Sequence, residues 1–293
     1  MKKIITAIVI VVAVVIAATA AGGFWLYTGK QTSAKEKVFV KLHLPAAIVN
    51  RTLIPASEVF NRFHIAKALG DETKGVNDDE AKDKILNKLI NDTQLEIVAK
   101  QYDASLSAAE LDREYKDVID QLAQGNQQAF EDAIKQRSGL SAAEFKDKIV
   151  EPLALKAKLM LWYNDQPDLN NDVYKKIDSL VGQIKDGSDF GTLAKANSED
   201  DASKEYAGDV GEVNIKQLLP EFSEALNKAE VGSTVVIHSR HGHHVVKVLT
   251  HDKPTTGDET IHIQEIFLKP QGFEDWYQRQ VDATVIKKLI NFN

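Results

Sequence analysis

The chain has 293 residues, 43% of them hydrophobic, 27% charged and only 7% aromatic, which is enough apolar material for two modest cores. A formal charge of −7 argues against a nucleic-acid binder, which needs a concentrated basic face. The absence of cysteine excludes disulfides, thiolate metal sites, a cysteine nucleophile and a lipidated N-terminal cysteine.

In chain order, Lys2 and Lys3 precede an apolar run from Ile4 to Ala21 that continues through Trp25 and Tyr27. Such a run crosses a hydrocarbon core of roughly 30 Å, with the two rings at the far interface. Residues 1–29 are therefore predicted to form a transmembrane signal anchor. This implies a single-pass protein of the cell membrane whose soluble part is extracytoplasmic. Ala18-Thr19-Ala20 offers a competing cleavage pattern. Residues 30–37 read as a polar spacer. Val38 to Asn50 reads as strand-like, with Val38, Val40 and Leu42 alternating. Pro55-Ala56-Ser57-Glu58 opens a helix through Phe60 and Phe63, and Gly70 to Asp79 reads as an acidic loop.

From Asp83 the helical period is strong, with Ile85, Leu86, Leu89, Ile90 and Ile97 on one face to about Gln101. Leu-Ser-Ala-Ala-Glu then occurs twice, at Leu106–Glu110 and Leu140–Glu144. Each copy is a capping box with a hydrophobic staple, Leu106 with Leu111 and Leu140 with Phe145. Phe130 and Ile134 mark a short helix between them. The second box launches a long helix, predicted to bend at Pro152, which has no amide hydrogen. Val49-Asn50-Arg51-Thr52-Leu53-Ile54-Pro55 and the helices after it resemble the "VNGxxI" entry of SurA/PrsA-type extracytoplasmic foldases. The resemblance covers residues 46–163, with Arg51 in place of the usual turn glycine. It implies a helical cradle for unfolded chain.

Asp172 begins an amphipathic helix (Val173, Ile177, Leu180, Val181, Ile184) stopped at Asp186-Gly187, and Ser188-Asp189-Phe190 starts another. Pro220 suits the first turn of a third helix. Val235 to Ile237 and His244 to Val248 read as strands joined by a turn through Arg240–Gly242.

These residues resemble the parvulin-type peptidyl-prolyl isomerases. The series is G-x-D-F-x-x-L-A (Gly187–Ala194), S-x-D (Ser198–Asp200), G-D-x-G (Gly208–Gly211) and L-x-P-E-F (Leu218–Phe222). It continues with Gly232 before a strand and closes with G-x-H-x-x-K (Gly242–Lys247). The resemblance implies that Leu218 and Phe222, with Val210 beside them, line a proline pocket. It places Asp200 at the acidic position facing the rotating amide, His244 on the last strand and Ser239 at a neighbouring hydroxyl position. Turning an X–Pro bond breaks no bond, so no cofactor and no metal are implied. Unfolded, proline-containing secreted polypeptides are the implied partners, with the membrane through the anchor and no nucleic acid.

One departure stands out. Parvulins begin with a strand R-H-I-L, whereas Lys156–Tyr163 reads as a helix end without histidine. Ile261 to Lys269 resembles that strand displaced towards the C-terminus, with Glu265 at the histidine position, followed by a helix through Phe273, Trp276, Tyr277 and Ile286. The expected fold is α+β. A SurA-N-like helical region (38–166) precedes a parvulin-like domain with a small antiparallel sheet (167–253), then a completing strand and terminal helix (254–293). A rival reading is a non-catalytic binding protein with a degenerate parvulin domain. His238, His241, His243, His244 and His251 also raise a metal-site reading, but no carboxylates converge on them at recognised spacing.

Overall fold

The structure, a computed structural model, describes residues 24–69 and 75–292. The chain divides into two compact units. The first comprises Met1–Val98, Ser107–Pro152 and Gln280–Asn293; the second comprises Ala99–Leu106 and Leu153–Arg279.

In the first unit, strands β1 (Pro45–Val49) and β2 (Thr52–Pro55) form a hairpin. Its tight turn requires a positive φ, which falls on Asn50 (51°), a residue that tolerates it, and not on Arg51. Arg51 therefore occupies its position without strain. The Asn50 side-chain oxygen accepts from the Val285 amide at 2.8 Å. Helices Ala56–Leu69 and Asp78–Gln101 pack Val59, Phe60, Phe63, Leu86 and Ile90 against this hairpin. Both predicted capping boxes form. Ser107 and Ser141 each accept from the amide three residues on, and Glu110 and Glu144 reach back to the serine amides at 2.8 and 3.0 Å. The helices they start enclose a small core of Ile119, Phe130 and Ile134. A π-helical turn, Lys146–Val150, lies just ahead of Pro152, where the missing amide hydrogen interrupts the α-helical ladder.

Four sequence expectations are corrected here. No helix among the described residues is long and apolar enough to cross a membrane. Most of the expected anchor, residues 1–23, lies outside the described residues, as does the Ala18–Ala20 site. Of the two expected interface rings, Trp25 is exposed but Tyr27 turns inward. Tyr27 meets Phe39 edge-on at 5.0 Å between ring centroids, and Leu26 packs against the same core. The polar spacer and the start of the strand-like stretch are instead one helix, Ser33–Lys41, capped by Thr32. Its buried side chains, Phe39 and Lys35, lie four residues apart, so helical geometry wins over the apparent alternation of Val38 and Val40. Finally, the last helix is Phe273–Asp282. Ile286 belongs to strand β7 (Ile286–Lys288), which pairs with β1 and brings Ile290 and Phe292 into the first core.

The second unit is built on a four-stranded antiparallel sheet: β3 (Asp209–Asn214), β4 (Thr234–Ser239), β5 (Gly242–Asp252) and β6 (Thr260–Leu268). Its order is β3-β6-β5-β4, so the displaced segment 260–268 is an inner strand. The ladder pairs His244 with Phe267 and Val246 with Glu265. Successive side chains alternate between the two faces. Val245, Ile266 and Leu268 point towards helices Asn171–Lys185 and Phe190–Asn197. Val246, Val248, Ile261 and Ile263 point towards Phe222 and Leu226 of the Pro220–Leu226 helix.

Candidate active site

The same alternation sets the candidate site. His244, Ser239 and Glu265 come from three neighbouring strands and share the face covered by the Pro220–Leu226 helix. His244 Nε2 lies 2.7 Å from Ser239 Oγ, and its Nδ1 is hydrogen-bonded to the Glu265 carboxylate. A carboxylate only accepts, so Nδ1 carries the proton, and in the neutral ring Nε2 accepts from the Ser239 hydroxyl. The ring is also clamped by aromatics. Phe222 meets it edge-on at 4.6 Å, and Phe267 lies on it at 5.0 Å. The imidazole is only 6% exposed, so two hydrogen bonds and two rings fix its orientation.

Of the expected pocket residues, Phe222 is buried beside His244 and Leu218 is half-buried against the same core. Val210 sits on β3, 40% exposed. Asp200 has a local task as well. It caps the short helix Asp201–Lys204, accepting from the Ser203 amide at 2.9 Å, the Ser203 hydroxyl at 2.5 Å and the Ala202 amide at 3.3 Å. Burial works to raise its pKa. The hydrogen bonds from Ser203 and Ala202, with nearby His244, outweigh that and hold the carboxyl below its usual value.

Further residues hold the site together. Ser198, fully buried, accepts from the amides of Asp200 (3.3 Å) and Phe267 (3.1 Å), and Glu199 N donates to the Phe267 carbonyl at 2.8 Å. The Asp200 loop is thereby stitched to β6. Buried Asn164 donates to the Ser239 carbonyl at 2.8 Å. Phe267 was discoverable from the sequence, because it lies two residues from Glu265 on the same strand face. Ser198 sits in the S-x-D motif without any sign of its bonding. Nothing marks Asn164.

The five histidines are divided by the pleat. His238 and His243 lie on the opposite face, with their Nδ1 atoms 2.9 Å apart and Tyr174 stacked on His238 at 4.9 Å. Burial first, then His238 and His244, lower the pKa of His243 to about 4. His251 is bonded to Glu259 at 2.6 Å, and His241 is exposed in the turn. Among the described residues, no group of three or more His, Asp or Glu is arranged to hold a metal ion.

The chain matches two family models. A SurA-like N-terminal domain covers residues 1–159, and a PPIC-type peptidyl-prolyl isomerase domain covers residues 145–252. Foldase protein PrsA 1 of Lactobacillus johnsonii is 28% identical over 210 residues, 64% of this chain and 69% of that protein. Foldase protein PrsA of Oceanobacillus iheyensis is 36% identical over 110 residues, 37% of this chain and 36% of that protein. Chaperone SurA of Nitrosococcus oceani is 35% identical over 94 residues, 32% of this chain and 22% of that protein. The match thus spans about a third of the second relative's length and less of the third's. With a SurA-like model over more than half its length and a PPIC-type model over residues 145–252, the chain belongs to the SurA/PrsA-like foldase group of parvulin-type peptidyl-prolyl isomerases.

Proposed function

We propose that the protein turns X–Pro bonds between cis and trans in unfolded polypeptides outside the cytoplasm, with the proline ring seated against Phe222, Leu218 and Val210. The uncatalysed barrier is roughly 20 kcal/mol, because the twisted amide loses its resonance. No covalent intermediate is needed. A site accelerates the rotation by binding the twisted amide better than either planar form. Fixed polar groups beside an apolar seat do this without reorganising during the reaction. In this reading His244, held in one tautomer by Glu265 and Ser239, braces the polar wall beside Phe222, and Asp200 sets the charge of that wall.

The observation that supports this most is the contact of His244 with Glu265 beside Phe222. The strand 260–268 supplies a carboxylate that orients the imidazole from the protein side. Export is supported by the basic start followed by the apolar run from Ile4 to Ala21, the build of an export signal. The test is a protease-coupled assay on short prolyl peptides. Turnover should be present in the native chain and fall to background in His244→Ala and Phe222→Ala. Activity indifferent to both substitutions overturns the assignment.

A further inference from the structure

The first unit contains a groove of about 270 Å³ between helices Ala56–Leu69 and Asp78–Gln101 and the segment Arg137–Ile149. Pockets that enclose small molecules run to about 300–1,000 Å³. This one is sized for one or two side chains. Its floor is apolar, with Ile85, Leu140, Phe145 and Ile149, and Ile149 is 37% exposed.

The rim carries Arg62, Lys88, Arg137 and Lys148, and among the described residues no acidic side chain lines the groove, although the chain as a whole is acidic. Three of these cations lean on carboxylates set outside the groove: Arg62 on Glu58 (2.8 Å), Lys88 on Asp92 (3.1 Å) and Lys148 on Glu144 (3.2 Å). Arg137, exposed in the last turn of its helix, forms no ion pair among the described residues. The groove therefore presents an apolar floor under a rim with one more cation than its carboxylate partners. Its complement is an apolar side chain with carboxylates beside it.

We propose that this groove holds segments of unfolded polypeptide in which a large apolar side chain is flanked by Asp or Glu. The proposal deepens the folding-factor reading and rests on it for the kind of partner. It concerns a different unit from the prolyl site.

The experiment uses the full chain and short fluorescent peptides without proline, so that prolyl binding contributes nothing. The peptides share one Leu-Phe centre and differ in flanks of Asp, Ser or Lys. Anisotropy titrations should rank them Asp over Ser over Lys, with the differences shrinking at high salt. Arg137→Gln should weaken the Asp-flanked peptide by about two- to fivefold and leave the Ser-flanked one unchanged. Leu140→Ser should weaken all three. Equal affinity for the three peptides overturns the proposal, as does an Arg137→Gln protein that binds the acidic peptide as tightly as before. Binding unchanged in Leu140→Ser overturns it too, because charge alone would then suffice. Turnover of prolyl peptides by the same preparation tests the isomerase reading separately.

Discussion

The Glu265 carboxylate bonds to Nδ1 of His244 from a neighbouring strand, one diagonal step across the β5–β6 ladder. A charge-assisted hydrogen bond of this kind is worth about 1.5–3 kcal/mol. Glu265→Ala should therefore lower kcat/KM by roughly ten- to a hundredfold. Glu265→His, which supplies the histidine of the R-H-I-L strand that this segment resembles, should keep most of the activity. The prolyl-peptide assay and the imidazole nitrogen shifts by NMR report on the two steps separately. Unchanged turnover in Glu265→Ala would remove Glu265 from the mechanism.

Ser198→Ala strips the half-buried Phe267 amide of its acceptor, the fully buried Ser198 hydroxyl. An unsatisfied buried donor costs about 1–3 kcal/mol. Urea unfolding should show a loss of that size. Because the same hydroxyl holds the Asp200 amide, kcat should fall in protein that is still fully folded at low denaturant. Ser198→Thr, which keeps the hydroxyl, should restore both.

Gly208 has φ +78°, and its carbonyl accepts from the Glu265 amide at 2.8 Å. A β-carbon there would stand 2.4 Å from the Glu265 carbonyl oxygen, a backbone atom that cannot swing aside. Gly208→Ala should destabilise the second unit by about 2–5 kcal/mol, combining left-handed strain with overpacking. Differential scanning calorimetry should show that unit melting earlier, while Gly211→Ala, where the space is open, should carry only the cost of its positive φ.

His243 supplies a pH dependence. Burial, together with His238 and His244, lowers its pKa to about 4, while Tyr174 beside it is pushed up to about 12 by burial, with Asp165 adding to the rise, and stays neutral. The unfolded chain takes up the proton near pH 6.5, before the folded one does. The stabilisation is complete above about 6.5 and is lost as the pH falls to about 4, at up to about 1.4 kcal/mol per unit. Glu144, lowered to about 2 chiefly by its hydrogen bonds from Ser141, loses its contribution later, between about 4.5 and 2. Thermal melts from pH 7 to 4 should decline in the native protein and flatten in His243→Gln. An equal decline in both would rule out His243 as the cause.

Much of this architecture was legible because it rests on local rules. The two Leu-Ser-Ala-Ala-Glu boxes form as drawn, since capping needs only residues three apart. The strand 260–268 could be placed because Ile261 to Lys269 resembles the R-H-I-L strand of the parvulins, and its Glu265 does reach His244. The failures come where tertiary contacts decide. The Ser33–Lys41 helix buries little besides Phe39, so its pattern imitates a strand. Ile286 continues a helical spacing, yet pairing with β1 overrides it. Asp200 takes its amide-facing position from the resemblance and is also a residue type that caps helices, but which three donors it accepts from shows only in coordinates. The contacts made by Ser198 and Asn164 are invisible for the same reason: their partners lie 69 and 75 residues away.

The return of residues 286–292 to β1 imposes an order on events. The Leu289 and Ile290 amides donate to the Ala46 carbonyl, and Ile290 and Phe292 fill the core begun by Phe39 and Phe60. A ribosome delivers those residues only after the whole isomerase sheet has been made, so the part of the protein born first is the last to be sealed. Until then its hairpin edge and greasy interior stand open, in the condition of the nascent chains that a foldase serves.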